Sequence, residues 1–311
     1  MSRKFTLSIL PILLFLNIAA QTVQNNTKSK EPFLVVLGTL QDGGSPHIGC
    51  EKDCCKKIDT NKKVASLGLI DPASKKKFII EATPDITSQI KILNEYAGTI
   101  NPIDGILLSH AHIGHYSGLM YLGKEANNAK NIPVYAMPRM KKFLESNGPW
   151  SQLVNLKNIQ LIEIFNTQEF SLSSQIKVIP YQVPHRDEFS ETIGFKIIGP
   201  NKSALFIPDI DKWEKWEIDI IEMIKGVDYA FIDGTFWDPA ELNNRNIAEI
   251  PHPLIKESIL KFTNLPASEK DKIWFIHLNH TNPVLITGSK EYQELSSKGF
   301  HVASIKQIFS L

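Results

Sequence analysis

Leu107 to Leu119 reads LLSHAHIGHYSGL, with three histidines inside six residues directly after a strand-like apolar stretch. Neutral imidazole is the commonest metal ligand in proteins, and such clusters suit zinc or iron. His110 and His112 are two apart, so on an extended segment both side chains point the same way and can bind one ion. His115 lies three residues further on, where the chain turns into a helix, and can face a neighbouring position of the same cavity. A second cluster holds every cysteine of the chain: Cys50, Cys54 and Cys55. Three thiolates this close can supply three corners of a tetrahedral zinc site. The alternatives are a disulfide that leaves one thiol over, with vicinal Cys54 and Cys55 pairing only under strain, or three unpaired thiols.

The elements that position these groups are short. Phe33 to Leu37 is an apolar β-rich run followed by a Gly-rich loop with Gly43, Gly44, Pro46 and Gly49. Ser66 to Ile70 and Phe78 to Ile80 flank a turn at Asp71-Pro72 and read as a hairpin. Further strands are predicted at Ile103 to Leu108, Val134 to Ala136, Ile159 to Ile164, Ile176 to Tyr181, Thr192 to Ile198, Ala204 to Ile207, Tyr229 to Ile232 and Ile273 to Ile276. Helices are predicted at Ile86 to Tyr96, Gly118 to Ala126, Pro138 to Ser146, Trp213 to Ile224 and His252 to Thr263. This mixture predicts an α+β fold in which sheets pack on each other and are covered by helices. With 311 residues and 42% hydrophobic content the chain can bury a large core, which excludes a disordered or fibrous protein. The balance of 34 basic against 33 acidic residues excludes recruitment of nucleic acid or anionic lipid through bulk charge.

Arg3 and Lys4 precede an uncharged run from Phe5 to Ala20, the order of a secretory signal peptide. The run is interrupted by Pro11 and Asn17 and falls short of the roughly 18 to 20 apolar residues that cross a bilayer. The expected organisation is a signal segment over 1–20, a polar linker over 21–30 and one domain over 31–311. The expected product is exported, periplasmic or secreted, with no stable membrane insertion after cleavage.

Beyond the histidine run, the order of later residues resembles the metallo-β-lactamase superfamily, whose motif is His-x-His-x-Asp-His after a strand, followed by His, Asp and His at later strand ends. His110, His112 and His115 match the motif. His185 in YQVPHRDE, Asp209 in LFIPDID and His277 in WFIHLNHTNP match the later positions. The resemblance implies a four-layered αββα sandwich with one or two metal ions at one edge, between the sheets. Gly114 stands where the family has aspartate, which takes a carboxylate away from the second metal position. The stretches LGTLQDGGSPHIGC, EATPDI and FIHLNHTNP are similar to the pyrroloquinoline-quinone biosynthesis protein B branch, which keeps a Cys-rich loop that holds a structural zinc. Cys50, Cys54 and Cys55 fall there, with spacing C-x3-C-C in place of C-x-C-x2-C.

For the fourth ligand of the thiol site the expectation is His252, in the proline-bracketed turn EIPHPL, with His47 as the local competitor. At the histidine site, zinc on His110, His112 and His185 would lower the pKa of a bound water from about 15.7 toward roughly 7. Asp209 is expected to bridge to a second ion held by His115 and His277. Asp85 is a candidate to orient water or a ligand histidine in place of the missing carboxylate, or else caps a helix. His280 is an alternative last ligand or a proton shuttle, and His301 reads as a surface residue. Trp213 and Trp216 read as core; Phe236 and Trp237 can line a pocket. The leading expectation is an exported metal-dependent hydrolase acting on an ester, phosphoester or amide of a small molecule. An iron-dependent redox enzyme and a non-catalytic metal-binding protein are the alternatives.

Overall fold

A computed structural model describes residues 31–56, 59, 61–242 and 249–311. The expected signal segment and linker, residues 1–30, lie outside the described residues. Among the described residues no helix is long and apolar enough to cross a membrane.

Among the described residues, fourteen strands form two sheets of seven. The first holds β1 (Phe33–Gly38), β2 (Ser66–Asp71), β3 (Lys76–Ile80), β4 (Gly105–Leu107), β5 (Ile132–Ala136) and β6 (Ile159–Glu163). The second holds β7 (Phe170–Ser171), β8 (Lys177–Gln182), β9 (Ile193–Ile198), β10 (Ser203–Ile207), β11 (Tyr229–Asp233), β12 (Ile273–Ile276) and β13 (His301–Val302). The chain then returns as β14 (Ile308–Ser310), which pairs antiparallel with β1. The helices are α1 (Ile86–Ala97), α2 (Ile113–Tyr116), α3 (Pro138–Ser146), α4 (Trp150–Asn155), α5 (Ile220–Lys225), α6 (Ile255–Lys261), α7 (Ala267–Lys270) and α8 (Lys290–Ser297).

Alternation along each strand divides the core into layers, because successive side chains point to opposite faces. Leu34 and Val36 of β1 pack with Leu67, Phe195, Phe206 and Phe231 between the two sheets. Val35 and Leu37 face the other way, onto Leu93 of α1 and Met140 of α3. Leu205 and Ile207 of β10 turn away from the first sheet, toward Ile224 of α5, Ile255 of α6 and Leu295 of α8. The result is four layers, αββα. Both faces of these strands are covered, which is why their sequences are continuous apolar runs.

Phe206 is fully buried in the layer between the sheets and lies in register with Phe195 on one side and Phe231 on the other. Phe206→Ala is expected to cost about 3–5 kcal/mol of stability, through lost transfer energy and the cavity left between rigid sheets. An unchanged denaturant midpoint in that variant would contradict this account of the core.

Three predicted helices are shorter than expected. Gly118 to Ala126 contributes only a 3-10 segment, Ser117–Leu122. The stretch from Trp213 breaks into a 3-10 turn, Trp213–Lys215, and α5, because the Asp219 carboxylate accepts from the Ile221 N–H and starts a new helix there. Trp213 and Trp216 are buried as expected, and their indole N–H groups donate to Ser258 and to the Gln182 carbonyl. The helix expected from His252 begins at Ile255. Pro253 holds His252 out of the helical region, and the Glu257 carboxylate accepts from the Leu254 N–H at 2.9 Å. Trp237 is buried in the helix-covered core, with Lys256 Nζ over its ring. Phe236 lies edge-on to His252.

Candidate metal centre

β1, β3 and β4 run in one direction in the first sheet, as do β8, β10, β11 and β12 in the second. The segments leaving their C-terminal ends converge on one rim. In open α/β sheets that rim is where ligands bind, because the loops there are free of the ladder that occupies the strands. His110 and His112 follow β4, His185 follows β8, Asp209 follows β10 and His277 follows β12.

The structure brings these residues together. His110, His112 and His185 offer ligand atoms within 4.8 Å of one another, and Asp42, His115, Asp209 and His277 form a second such group. Asp209 sits between the two. One oxygen, Oδ1, is 3.7 Å from His185 Nε2. The other, Oδ2, is 3.7 Å from His110 Nε2, 2.9 Å from His115 Nε2 and 3.2 Å from His277 Nε2. His112 lies nearer the mouth, its Nε2 3.3 Å from Glu188.

The far nitrogens are held from behind. Ser109 Oγ lies 2.9 Å from His110 Nδ1, Glu81 Oε1 lies 3.4 Å from His115 Nδ1, and Thr235 Oγ1 lies 2.9 Å from His277 Nδ1. The Thr235 hydroxyl in turn donates to Asp233. Such partners fix the ring orientation of a ligating imidazole and raise its basicity. His277 and Glu81 both have positive φ, 62° and 76°, conformations a non-glycine residue adopts at a cost of about 1–3 kcal/mol. Both follow directly on the ends of β12 and β3, and both side chains face the site.

Two observations fit a cation here. His110 Nε2 and both ring nitrogens of His185 are buried without a hydrogen-bond partner. Orphaned buried polar atoms are rare in native proteins and point to a missing ligand. The donor set, imidazole nitrogen with a shared carboxylate, is also that of zinc sites. Electrostatics sort the rings. Burial pushes His110 well below its ordinary value and His185 down to about 4, so both are neutral near pH 7, the form that ligates. Burial also opposes charge on His115, but Asp42 and Glu81 outweigh it and hold that ring well above its usual value. For Asp209, burial is outweighed by His277 and His115, which keep the carboxyl far below the usual range.

Several expectations are corrected. His252 is not at the thiol cluster. Its turn follows β11, so the ring is buried beside Asp233, Nδ1 to Oδ2 2.8 Å, and 3.5 Å from Asp209. Burial opposes its protonation, but Asp233 raises its pKa above the ordinary 6.5. His280 takes the position assigned to His252, with a ligand atom within 4.8 Å of those of Cys50, Cys54 and Cys55. It cannot be the last ligand of the histidine site, since the loop after β12 carries it outward to stack on His47, ring centroids 4.4 Å apart. His47 contributes its backbone, whose N–H donates to Cys55 Sγ at 3.2 Å. Asp85 neither orients a histidine nor caps α1 with its side chain; its carboxylate accepts from the Val64 N–H at 2.8 Å. His301 is half-buried in β13, stacked on Trp274 and paired with Asp271.

Five polar residues that support this rim were missed from sequence: Asp42, Glu81, Ser109, Asp233 and Thr235. The signal for Glu81 was present, since it directly follows the apolar strand in EATPDI, where a buried acid requires a partner. Its carboxylate is fully buried, accepts from the Ser109 N–H and faces His115. Glu81→Gln is expected to weaken zinc binding by about 10–100-fold. Equilibrium dialysis against zinc checks this, and an unchanged affinity would leave Glu81 a purely structural acid.

Residues 76–277, more than half of the chain, match the family model described as a beta-lactamase superfamily domain. The coenzyme PQQ synthesis protein B of Ruegeria pomeroyi is 23% identical over 298 residues, covering 87% of this chain and 97% of its own length. That of Methylococcus capsulatus is 25% identical over 304 residues, covering 86% and 96%. Among solved structures, zinc-bound PqqB from Methylobacterium extorquens is similar with a TM-score of 0.75 at 21% identity, covering 90% of this chain and all of that one. A diphosphatase from the PhnP family is similar with a TM-score of 0.65 at 21% identity, covering 90% and 97%. At these identities the structural likeness is one of fold.

Proposed function

The chain belongs to the beta-lactamase superfamily, and from that premise we propose that it is a zinc-dependent hydrolase of a small-molecule ester, phosphoester or amide. The observation that carries this reading is the set of buried imidazole nitrogens without partners, grouped around one carboxylate that touches both clusters. In this reading His110, His112, His185 and Asp209 hold one ion, and Asp209, His115 and His277 contribute to a second. Held by these residues, zinc would supply a water nucleophile at neutral pH and a positive charge opposite the substrate oxygen.

The chain's own residues do the rest. Ser109, Glu81 and Thr235 hold the rings of His110, His115 and His277 in orientation. His252, whose pKa burial lowers but Asp233 raises on balance, is placed beside the shared carboxylate to protonate a departing alkoxide or amine. Asp233 holds the ring through Nδ1, the same nitrogen that lies 3.5 Å from Asp209.

A separate structural zinc is proposed on Cys50, Cys54, Cys55 and His280. The charged and apolar order of residues 1–20 supports export of the mature chain.

Elemental analysis of purified wild type, His112→Ala and Cys54→Ala tests the assignment, followed by assay with p-nitrophenyl esters and phosphodiesters. Zinc is expected at both sites, with each variant depleted at its own and turnover lost in His112→Ala. Iron in place of zinc would shift the reading to oxidation chemistry on the same ligands. A fully loaded wild type that hydrolyses nothing in the screen would favour metal binding without catalysis.

A further inference from the structure

Gly114 removes the carboxylate that the histidine motif of this superfamily carries, yet the second cluster does not lack one. Asp42 Oδ1 lies 3.0 Å from His115 Nε2 and 3.2 Å from His277 Nε2. With Asp209 it completes a group of four ligand atoms within 4.8 Å of one another. We propose that Asp42, from the loop after β1, is the carboxylate ligand of the second metal position, and that Gly114 is the residue that admits it. This rests on the two-ion reading above and deepens it.

Two features show that the position is built. A side chain at Gly114 is incompatible with it: a Cβ there would sit 2.4 Å from Asp42 Oδ1 and 2.7 Å from Asp42 Cα. The place from which the motif aspartate would extend is therefore filled by Asp42 and its own backbone. Secondly, the loop is fixed to the strand end that carries His277. Leu40 forms a parallel bridge with Leu278, the Leu278 N–H donates to the Thr39 carbonyl at 2.8 Å, and the Gln41 N–H donates to the Leu278 carbonyl at 2.9 Å. Asp42 thus follows directly on backbone that is hydrogen-bonded to the residue after His277. Further along, Cys50, Cys54 and Cys55 meet His280 of that same second segment. Two tie points hold the loop, with Asp42 between them.

In ordinary members of the motif, aspartate and histidine reach the ion from one local turn. Here two segments far apart in sequence supply them, and the missing side chain at residue 114 is the space the exchange requires.

Zinc titration of the full chain by calorimetry, with elemental analysis after gel filtration, tests this on wild type, Asp42→Asn and Gly114→Ala. Wild type is expected to take up two ions at the histidine centre besides the thiol-site zinc. Asp42→Asn keeps the size of the side chain and removes its charge. It is expected to bind the second ion at least about 100-fold more weakly, given that even the partners behind a ligand cost 10–100-fold. Retention of the first ion and of the thiol-site zinc in that variant reports an intact fold. Gly114→Ala is expected to lose the second ion as well, because its methyl group displaces Asp42. The same titrations with cobalt add a spectroscopic signature, loss of the second set of visible bands. Asp42→Asn with both ions at unaltered affinity would overturn the proposal alone, as would a wild type with a single ion at this centre. A wild type with zinc only on the thiols would overturn this proposal and the hydrolase reading together.

Discussion

Asp209→Asn is expected to lower hydrolytic turnover at least about 1000-fold, corresponding to about 4 kcal/mol of transition-state stabilisation. The size of the effect follows from position. Asp209 is the residue whose carboxylate approaches rings of both clusters, His110 and His185 on one side and His115 and His277 on the other. The amide keeps the shape but is a poor ligand, so occupancy of both positions should fall together. It also removes a buried negative charge from among imidazoles that it holds in place. Elemental analysis and kcat measured on one preparation check the two effects jointly. A variant that keeps both ions and more than a tenth of wild-type turnover would show that Asp209 is a structural acid.

The second large effect is expected at His252, and its signature is selectivity. A group that protonates the leaving oxygen contributes about 10²–10⁴-fold where the leaving group needs a proton. p-Nitrophenolate departs without one. His252→Asn should therefore lose at least about 100-fold against an alkyl ester or alkyl phosphodiester, and far less against the p-nitrophenyl analogue, with zinc content unchanged. Equal losses with both substrates would remove His252 from proton transfer. The pH profile has a defined sign. Burial works against charge on His252, but Asp233 raises its pKa above 6.5, so the donor persists to higher pH than on an ordinary histidine and disappears as pH rises through that raised value. Wild type should show an alkaline decline with the alkyl substrate, and His252→Asn should lack it.

Much of the scaffold was legible in the order of residues, for a local reason. Strands covered on both faces leave unbroken apolar runs such as Phe33–Gly38 and Ser203–Ile207, and the two-residue spacing of His110 and His112 puts both rings on one side of an extended segment. The layered αββα arrangement followed from those runs and from the superfamily resemblance. Among the elements that went unseen, the strands β7, β13 and β14 are two or three residues long and take their structure from the strands they pair with, not from a pattern of their own; the helices α4, α7 and α8 were likewise not predicted.

The rim was settled by tertiary structure, because there the deciding quantity is which strand ends meet. Asp42 is 73 residues from His115 and 235 from His277, so no spacing rule connects them. The exchange of His252 and His280 has the same origin. His252 sits between Pro251 and Pro253, and His280 lies three residues from both His277 and Pro283; these sequences do not distinguish a ring carried inward to Asp233 from one carried outward to the thiols. Gly114 shows the limit most directly: as sequence it is a lost carboxylate, while in three dimensions it is the gap through which another segment of the chain brings a carboxylate in.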